Sequence, residues 1–145
     1  MTKGFVTFWL GTEEYAFDVD HVVEIMRLSH LTPVPGASDE LAGVINWRGR
    51  TIPVLELAAR LKRPASSPDE RRGRLLVLRT PAPFAVRVDR AGELISSSVA
   101  TPIEGVAELA KENIRLVQLP RGVLRILDPA SLVGAGARLM EERTG

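Results

Sequence analysis

The side chains that could do chemistry in this 145-residue chain are carboxylates, two histidines and a large number of arginines; there is no cysteine. Asp18, Asp20 and Glu24 lie close together in the sequence, as do Asp89 and Glu93. Two neighbouring carboxylates can divide acid and base work between them. Asp20 and Asp89 also stand where strands are expected to turn, and an aspartate there satisfies turn backbone. The turn explains both residues without a substrate, and it is the preferred reading. His21 follows an aspartate-rich strand end, and His30 sits in a proline-flanked loop. Neither has a partner close in sequence, so both read as surface residues rather than metal ligands or bases. Gly-x-Ser-x-Gly, P-loop and His-Glu-x-x-His motifs are all missing from the sequence. No catalysis, cofactor or metal is expected.

The densest group of functional side chains is Asn46-Trp47-Arg48-Gly49-Arg50, set between Val44-Ile45 and Ile52-Pro53-Val54-Leu55. A plain hairpin would be satisfied by Asn-Gly or Asp-Gly. A tryptophan and two arginines at the tip point instead to a contact surface. Gly49 allows the positive φ that a tight tip requires, and Gly43 permits another backbone to approach. A second cationic group runs from Arg60 through Lys62, Arg63, Arg71, Arg72 and Arg74 to Arg79. A nucleic-acid strip over 60–79 is the alternative function for the chain. No aromatic residue is interleaved there as a stacking platform, and a net charge of +1 provides little bulk attraction to polyanions. A solvated loop between lobes is the preferred reading.

Short strands must position these groups. Val6, Phe8 and Leu10 alternate along Phe5–Leu10, and Tyr15, Phe17 and Val19 line one face of the next strand. Val22, Val23, Ile25 and Met26 are apolar on both parities. A strand on a small barrel cannot bury both faces in its own lobe, so one must meet the other lobe or a partner. Leu41–Asn46 and Thr51–Leu57 form the hairpin, with one or two helical turns over Leu57–Leu61. Residues 63–69 read as a connector, and Arg74–Arg79 as a strand. Short helices are expected over Val106–Asn113 and Pro129–Val133, with a frayed tail over Arg138–Arg143.

Tyr15–Met26 (YAFDVDHVVEIM) matches Phe84–Ile95 (FAVRVDRAGELI) at a constant offset of 69 residues, with Ala, Val, Asp and Glu identical at four positions. RGRTIPVLEL at Arg48 has a shortened echo in RGVLRILDP at Arg121. One repetition at this spacing predicts two lobes with the same strand order, and short strands with Gly/Pro turns predict small barrels. The expected organisation is a single domain over 1–145, mainly β. Lobe 1 is expected over about residues 15–80 and lobe 2 over about 81–133. The first strand (5–10) is a candidate for exchange between lobes, and 134–145 is a tail. No apolar run approaches the roughly 20 residues of a membrane span, so a cytoplasmic protein is expected.

Three stretches resemble the CheW-like family of bacterial chemotaxis coupling proteins. They are FWLGTEEYAFDVDHVVEIM (Phe8–Met26), VPGASDELAGVINWRGRTIPVLEL (Val34–Leu57) and FAVRVDRAGELI (Phe84–Ile95). The second is similar to the family's long V-P-x-x-P … G-V-(I/V)-N-L-R-G-x-(V/I)-(I/V)-P-V-(I/V)-D-L motif. Trp47 replaces its usual Leu, Glu56 stands where Asp is common, and Arg87 takes an apolar position in the third stretch. The approach to the last strands is reduced to Glu112–Leu116.

The resemblance implies two SH3-like five-stranded barrels and an adaptor without catalysis or cofactor. The partners it implies are a CheA-type histidine kinase and the cytoplasmic tips of methyl-accepting chemoreceptors, at receptor arrays on the inner face of the membrane. Neither nucleic-acid binding nor membrane insertion is implied. The receptor-binding residues expected on this basis are Val22, Glu24, Ile25, Gly43, Asn46, Trp47 and Arg48. Gly49, Asp20 and Asp89 are expected to serve turns, and the kinase-binding face is unassigned. Arg48 is expected to pair with Glu24, since a guanidinium can grip a carboxylate through two parallel bonds. The pair would rim an apolar patch of Val22, Ile25 and Trp47. A charge at Val22 is then expected to weaken the receptor contact at little cost in stability.

Overall fold

The computed structural model describes residues 3–64, 71–104 and 114–132. Its strands are β1 (Gly4–Leu10), β2 (Glu13–Asp18), β3 (Val22–Arg27), β4 (Leu41–Trp47), β5 (Arg50–Glu56), β6 (Arg74–Leu78), β7 (Phe84–Val88), β8 (Arg90–Ser96), β9 (Thr101–Ile103), β10 (Arg115–Leu119) and β11 (Gly122–Leu127). Among the described residues helix is confined to single turns such as α1 (Leu57–Arg60). The helices expected over 106–113 and 138–143 lie outside the described residues. The turn expected near Pro129 is present as residues 130–132. The strand expected to include Val19 ends at Asp18, and Val19 opens a 3-10 turn through His21.

The strands form two sheets. The first has the order β8-β1-β2-β11-β10-β9, the second β3-β6-β7-β5-β4. The 69-residue repeat equates β2 with β7 and β3 with β8, and the arginine-glycine echo equates β5 with β11. With these substitutions the two sheets have one order, apart from the added β9. Each also contains a single parallel pair, β11 beside β2 and β5 beside β7.

Each barrel takes its strands from both repeats. The lobes are therefore not the contiguous segments 15–80 and 81–133. β2 joins the first sheet and β7 the second, while β1 lies between β8 and β2 in the first. Alternating hydrophobicity specifies which face of a strand is buried, not which strand lies beside it.

The chain changes sheets at the two aspartates. Asp20 lies in the 3-10 turn between β2 and β3, and its carbonyl accepts a bond from Arg79 Nε at 3.1 Å. Asp89 alone separates β7 from β8. Its N–H donates to the Trp9 carbonyl at 3.0 Å, and its Oδ2 accepts from the Gly11 N–H at 2.5 Å. A carboxylate at this junction thus satisfies a neighbouring turn as well as the crossover.

Three apolar cores follow. Phe5, Ala16, Ile95, Leu124 and Ile126 fill the first barrel. Ile45, Ile52, Val54, Leu75 and Ala85 fill the second. The third joins the two, through Phe8, Tyr15 and Phe17 from one and Leu55, Leu76, Phe84 and Val86 from the other. Phe8 stacks on Tyr15 and Phe17 at centroid distances of 6.0 and 5.3 Å. Consecutive residues of β2 and β7 therefore bury into different cores, Ala16 and Ala85 inward and their aromatic neighbours between barrels. Each large side chain in the shared core contributes about 1.5–3 kcal/mol of burial, which ties the barrels into one unit.

Candidate interaction surfaces

The β4–β5 hairpin is closed by Asn46 opposite Thr51 and Trp47 opposite Arg50. Arg48 and Gly49 form its two-residue tip, with φ of 51° and 79°. Two positive φ values match the twist-compatible type I′ turn, where Asn-Gly is the favoured pair. Asn46 accepts the Gly49 N–H on Oδ1 at 3.1 Å, so its side chain braces the tip. Gly49 carries the second of these positive φ values. Arg48 occupies a conformation that costs an L-residue about 1–2 kcal/mol.

The edge strands β3 and β4 of the second barrel approach each other here. Trp47 packs partly buried against that barrel's core, and its Nε1 donates to Glu24 Oε1 at 3.1 Å. The Arg48 guanidinium carbon lies 4.6 Å from the centroid of the Trp47 ring. Arg48 Nη2 is 3.8 Å from the same Glu24 oxygen. The expected two-bond grip is thus replaced by one loose contact, to an oxygen that also accepts the indole N–H. The side chains of Arg48 and Glu24 are 64% and 42% exposed.

The remaining candidates divide. Ile25 is exposed beside Glu24. Val22 is partly buried and packs against the core between barrels, so a charge there is expected to affect the fold as well as any contact. Gly43 is buried and offers no surface. A Cβ on it would collide with the Thr32 carbonyl, and Thr32 and Val44 exchange backbone bonds of 2.8 and 2.9 Å beside it. Gly43 therefore shapes the hairpin by admitting the chain that follows β3.

A second arginine-tipped hairpin stands on the first barrel. Pro120 and Arg121 form the tip between β10 and β11. Arg121 Nη2 bonds Glu14 Oε2 at 2.5 Å, and Nη1 bonds Glu93. These carboxylates hold the Arg121 guanidinium above its ordinary pKa, chiefly through the Glu93 bond. The repeat equates Glu93 with Glu24 and Leu94 with Ile25. Leu94 is 68% exposed, and Val99 and Val123 are also open to solvent. A shallow groove of about 360 Å³ lies between Leu94, Val99, Leu119 and Pro120. This surface was absent from the sequence reading, although the repeat carries its signal: Glu24 and Glu93 match at the same offset, and Arg48-Gly49 recurs as Arg121-Gly122.

Glu56 and Arg87, the departures noted in separate motifs, are register partners on β5 and β7. Arg87 Nε donates to Glu56 Oε2 at 2.6 Å. Burial raises the Glu56 pKa, and the Arg87 hydrogen bond opposes the rise. Among the described residues, no group of three His, Asp or Glu converges to hold a metal ion, and no helix is long and apolar enough to cross a membrane.

Twin barrels sharing a third core, each presenting an arginine-tipped hairpin latched to a glutamate, define a two-barrel protein built for surface recognition. The chain belongs to the CheW-like domain family, which matches residues 4–136. It is 29% identical over 131 residues to the chemotaxis protein CheW of Treponema pallidum, covering 85% of this chain and 77% of that one. Against the CheW of Bacillus subtilis the identity is 28% over 127 residues, covering 85% and 81%. A shorter match to the CheW of Thermotoga maritima is 43% identical over 53 residues, 37% of this chain and 35% of that one. The fold is similar to that of the scaffolding protein TtCheW from Thermoanaerobacter tengcongensis. The TM-score is 0.74 at 23% identity, over 88% of this chain and 90% of that one. The two SH3-like barrels implied by the resemblance are the fold of this family.

Proposed function

We propose that the chain is a non-catalytic adaptor that couples the cytoplasmic tips of methyl-accepting chemoreceptors to a CheA-type histidine kinase. It would act at receptor arrays on the inner face of the membrane. Membership of the CheW-like family supports this reading, and so does the presence of two surfaces related by the internal repeat. An adaptor must touch two bodies at once, and a duplicated barrel provides two homologous faces. Glu24, Trp47 and Arg48, with the exposed Ile25, form the receptor-contact face. The apolar groove by Leu94 and Val99 forms the kinase-contact face.

The single observation that carries the receptor assignment is Arg48. It is exposed and loosely paired, in a backbone conformation that asparagine or glycine would adopt with less strain. Strain of this kind is retained where the side chain has a use outside the fold. Each face needs to bury only about 800 Å² per partner for a specific contact. Signal passes when the docked bodies bind with different free energies in the kinase-on and kinase-off states.

In a reconstituted assay with receptor cytoplasmic fragments and kinase, Arg48→Glu is expected to abolish receptor-dependent control of kinase activity. Direct kinase binding and the melting temperature should stay near those of the parent. Full coupling by this variant would remove Arg48 from the receptor face.

A further inference from the structure

Four arginines line a cleft that neither proposed face uses. Arg71, Arg72 and Arg74 border it from the second barrel's side, and Arg90 and Ala91 from β8 of the first. It is an open groove of about 570 Å³ on the seam between the barrels. Two of its guanidinium groups are held in place. Arg74 Nη1 donates to the carbonyls of Arg71 and Gly73, both at 2.8 Å. The Arg90 guanidinium carbon lies 4.5 Å from the centroid of the Trp9 ring. Arg74 also faces Arg27 across β3 and β6, and like charges in that position repel.

Seven arginines outside the cleft are paired with carboxylates. Arg48, Arg60, Arg63, Arg87, Arg115, Arg121 and Arg125 each meet a carboxylate. Among the described residues, Arg72, Arg74 and Arg90 of the cleft have no such partner, and neither do Arg27, Arg50 and Arg79, which lie outside it. Protein carbonyls position the Arg74 guanidinium and an aromatic ring that of Arg90, without cancelling the charge of either.

We propose that this cleft binds an acidic peptide segment of a partner protein, a contact beyond the two faces of the adaptor reading. Guanidinium forks match carboxylates in geometry and charge. Small-molecule pockets are enclosed and mostly apolar, whereas this groove is open and arginine-lined, so it suits an extended chain lying across the seam. A nucleic acid fits less well, because single strands need an open aromatic face and Arg90 covers a face of Trp9. A bound segment would touch both barrels and hold them in one relative position.

The test is fluorescence anisotropy with the whole protein and a labelled oligoglutamate peptide, beside oligoglutamine and a single-stranded oligonucleotide of equal length. Oligoglutamate is expected to bind, more weakly as salt rises, and oligoglutamine is not. Arg72→Glu, at an exposed position, should weaken oligoglutamate binding about tenfold or more, the scale of one lost charge-assisted contact. Arg74→Gln should weaken it further, while Arg48→Glu should leave it unchanged. Equal affinity for the two peptides, or full binding by Arg72→Glu and Arg74→Gln, would overturn the proposal. So would tighter binding of the oligonucleotide, which would make the cleft a nucleic-acid site. Because Arg48→Glu tests the receptor face and not this cleft, failure of one reading leaves the other distinguishable.

Discussion

Replacing Arg48 with asparagine separates what the arginine does for the fold from what it does for a partner. At φ 51° the arginine carries a strain of about 1–2 kcal/mol, which asparagine largely relieves. The replacement also removes two contacts. The guanidinium over Trp47 at 4.6 Å contributes about 0.5–1 kcal/mol at an exposed site. The pairing with Glu24 at 3.8 Å joins side chains 64% and 42% exposed, and such pairs contribute about 0–1 kcal/mol, here toward the low end. Glu24 keeps its bond from Trp47 Nε1, so no buried acceptor is orphaned. The balance favours Arg48→Asn by about 0–1 kcal/mol, a rise in Tm of up to about 3 °C for a chain of this size. Arg48→Ala keeps the positive φ and loses both contacts, so it should fall below the parent by about 1 kcal/mol. Thermal denaturation of the three proteins gives the order, and the reconstituted kinase assay gives the coupling. The expected combination is a hairpin at least as stable in Arg48→Asn with receptor coupling lost. A loss of more than about 1 kcal/mol in Arg48→Asn would mean that the contacts outweigh the turn strain, and the argument that strain marks function would fail.

Arg121→Ala should behave differently, because it leaves Glu14, 9% exposed, without its counter-ion. A fall of about 2 kcal/mol in urea denaturation is expected, below the 3–5 of a fully buried pair because Arg121 is itself partly exposed, with recovery on adding Glu14→Gln. Glu56 gives a pH signature: its folded pKa is raised, chiefly by burial. The folded state therefore holds more protons than the unfolded one between the ordinary carboxylate value and the raised one. The stability linked to this group should be complete below the ordinary value and lost as pH rises through the raised value. Glu56→Gln should flatten that part of the stability–pH curve, and an unchanged slope would locate the titration elsewhere.

Much of this architecture was legible in the sequence. The alternation of Val6, Phe8 and Leu10 identified a strand, and its face packs in the core between barrels. The 69-residue repeat announced twin sheets of one strand order. The exchange of strands was not legible, because it depends on where the chain goes at Asp20 and Asp89. A short crossover to another sheet has the same local composition as a turn within one. The packing of Val22 against the core between barrels was not legible for a related reason. Its strand is apolar on both parities, and β3 carries a bulge between Val22 and Glu24 that changes which positions face inward. Gly43 was read correctly as a close-approach glycine, but the approaching chain comes from residues 31–32 of the same protein. The Glu56–Arg87 pair needed the parallel register of β5 and β7. Each residue alone looked like a departure, and together they form one ion pair.

The twin latches have diverged, and the divergence bears on which face reads which partner. Arg121 is clamped by Glu14 and Glu93, and Glu14 is nearly buried. Removing that arginine from its pair would strand an acid inside the barrel, so Arg121 is committed to the fold. What its face can offer a partner is the apolar surface around Leu94 and Val99. Among the described carboxylates Arg48 meets Glu24 alone, at 3.8 Å and in solvent. Exchanging that contact for a partner's carboxylate or carbonyl sacrifices about 0–1 kcal/mol, little against a charge-assisted bond made in a desolvated interface. Duplication therefore provided two equivalent hairpins, and a difference in pairing made one polar and exchangeable, the other rigid and apolar. Two chemically unlike faces lower the risk of competition between partners at one site, which the proposed coupling of a receptor to a kinase requires.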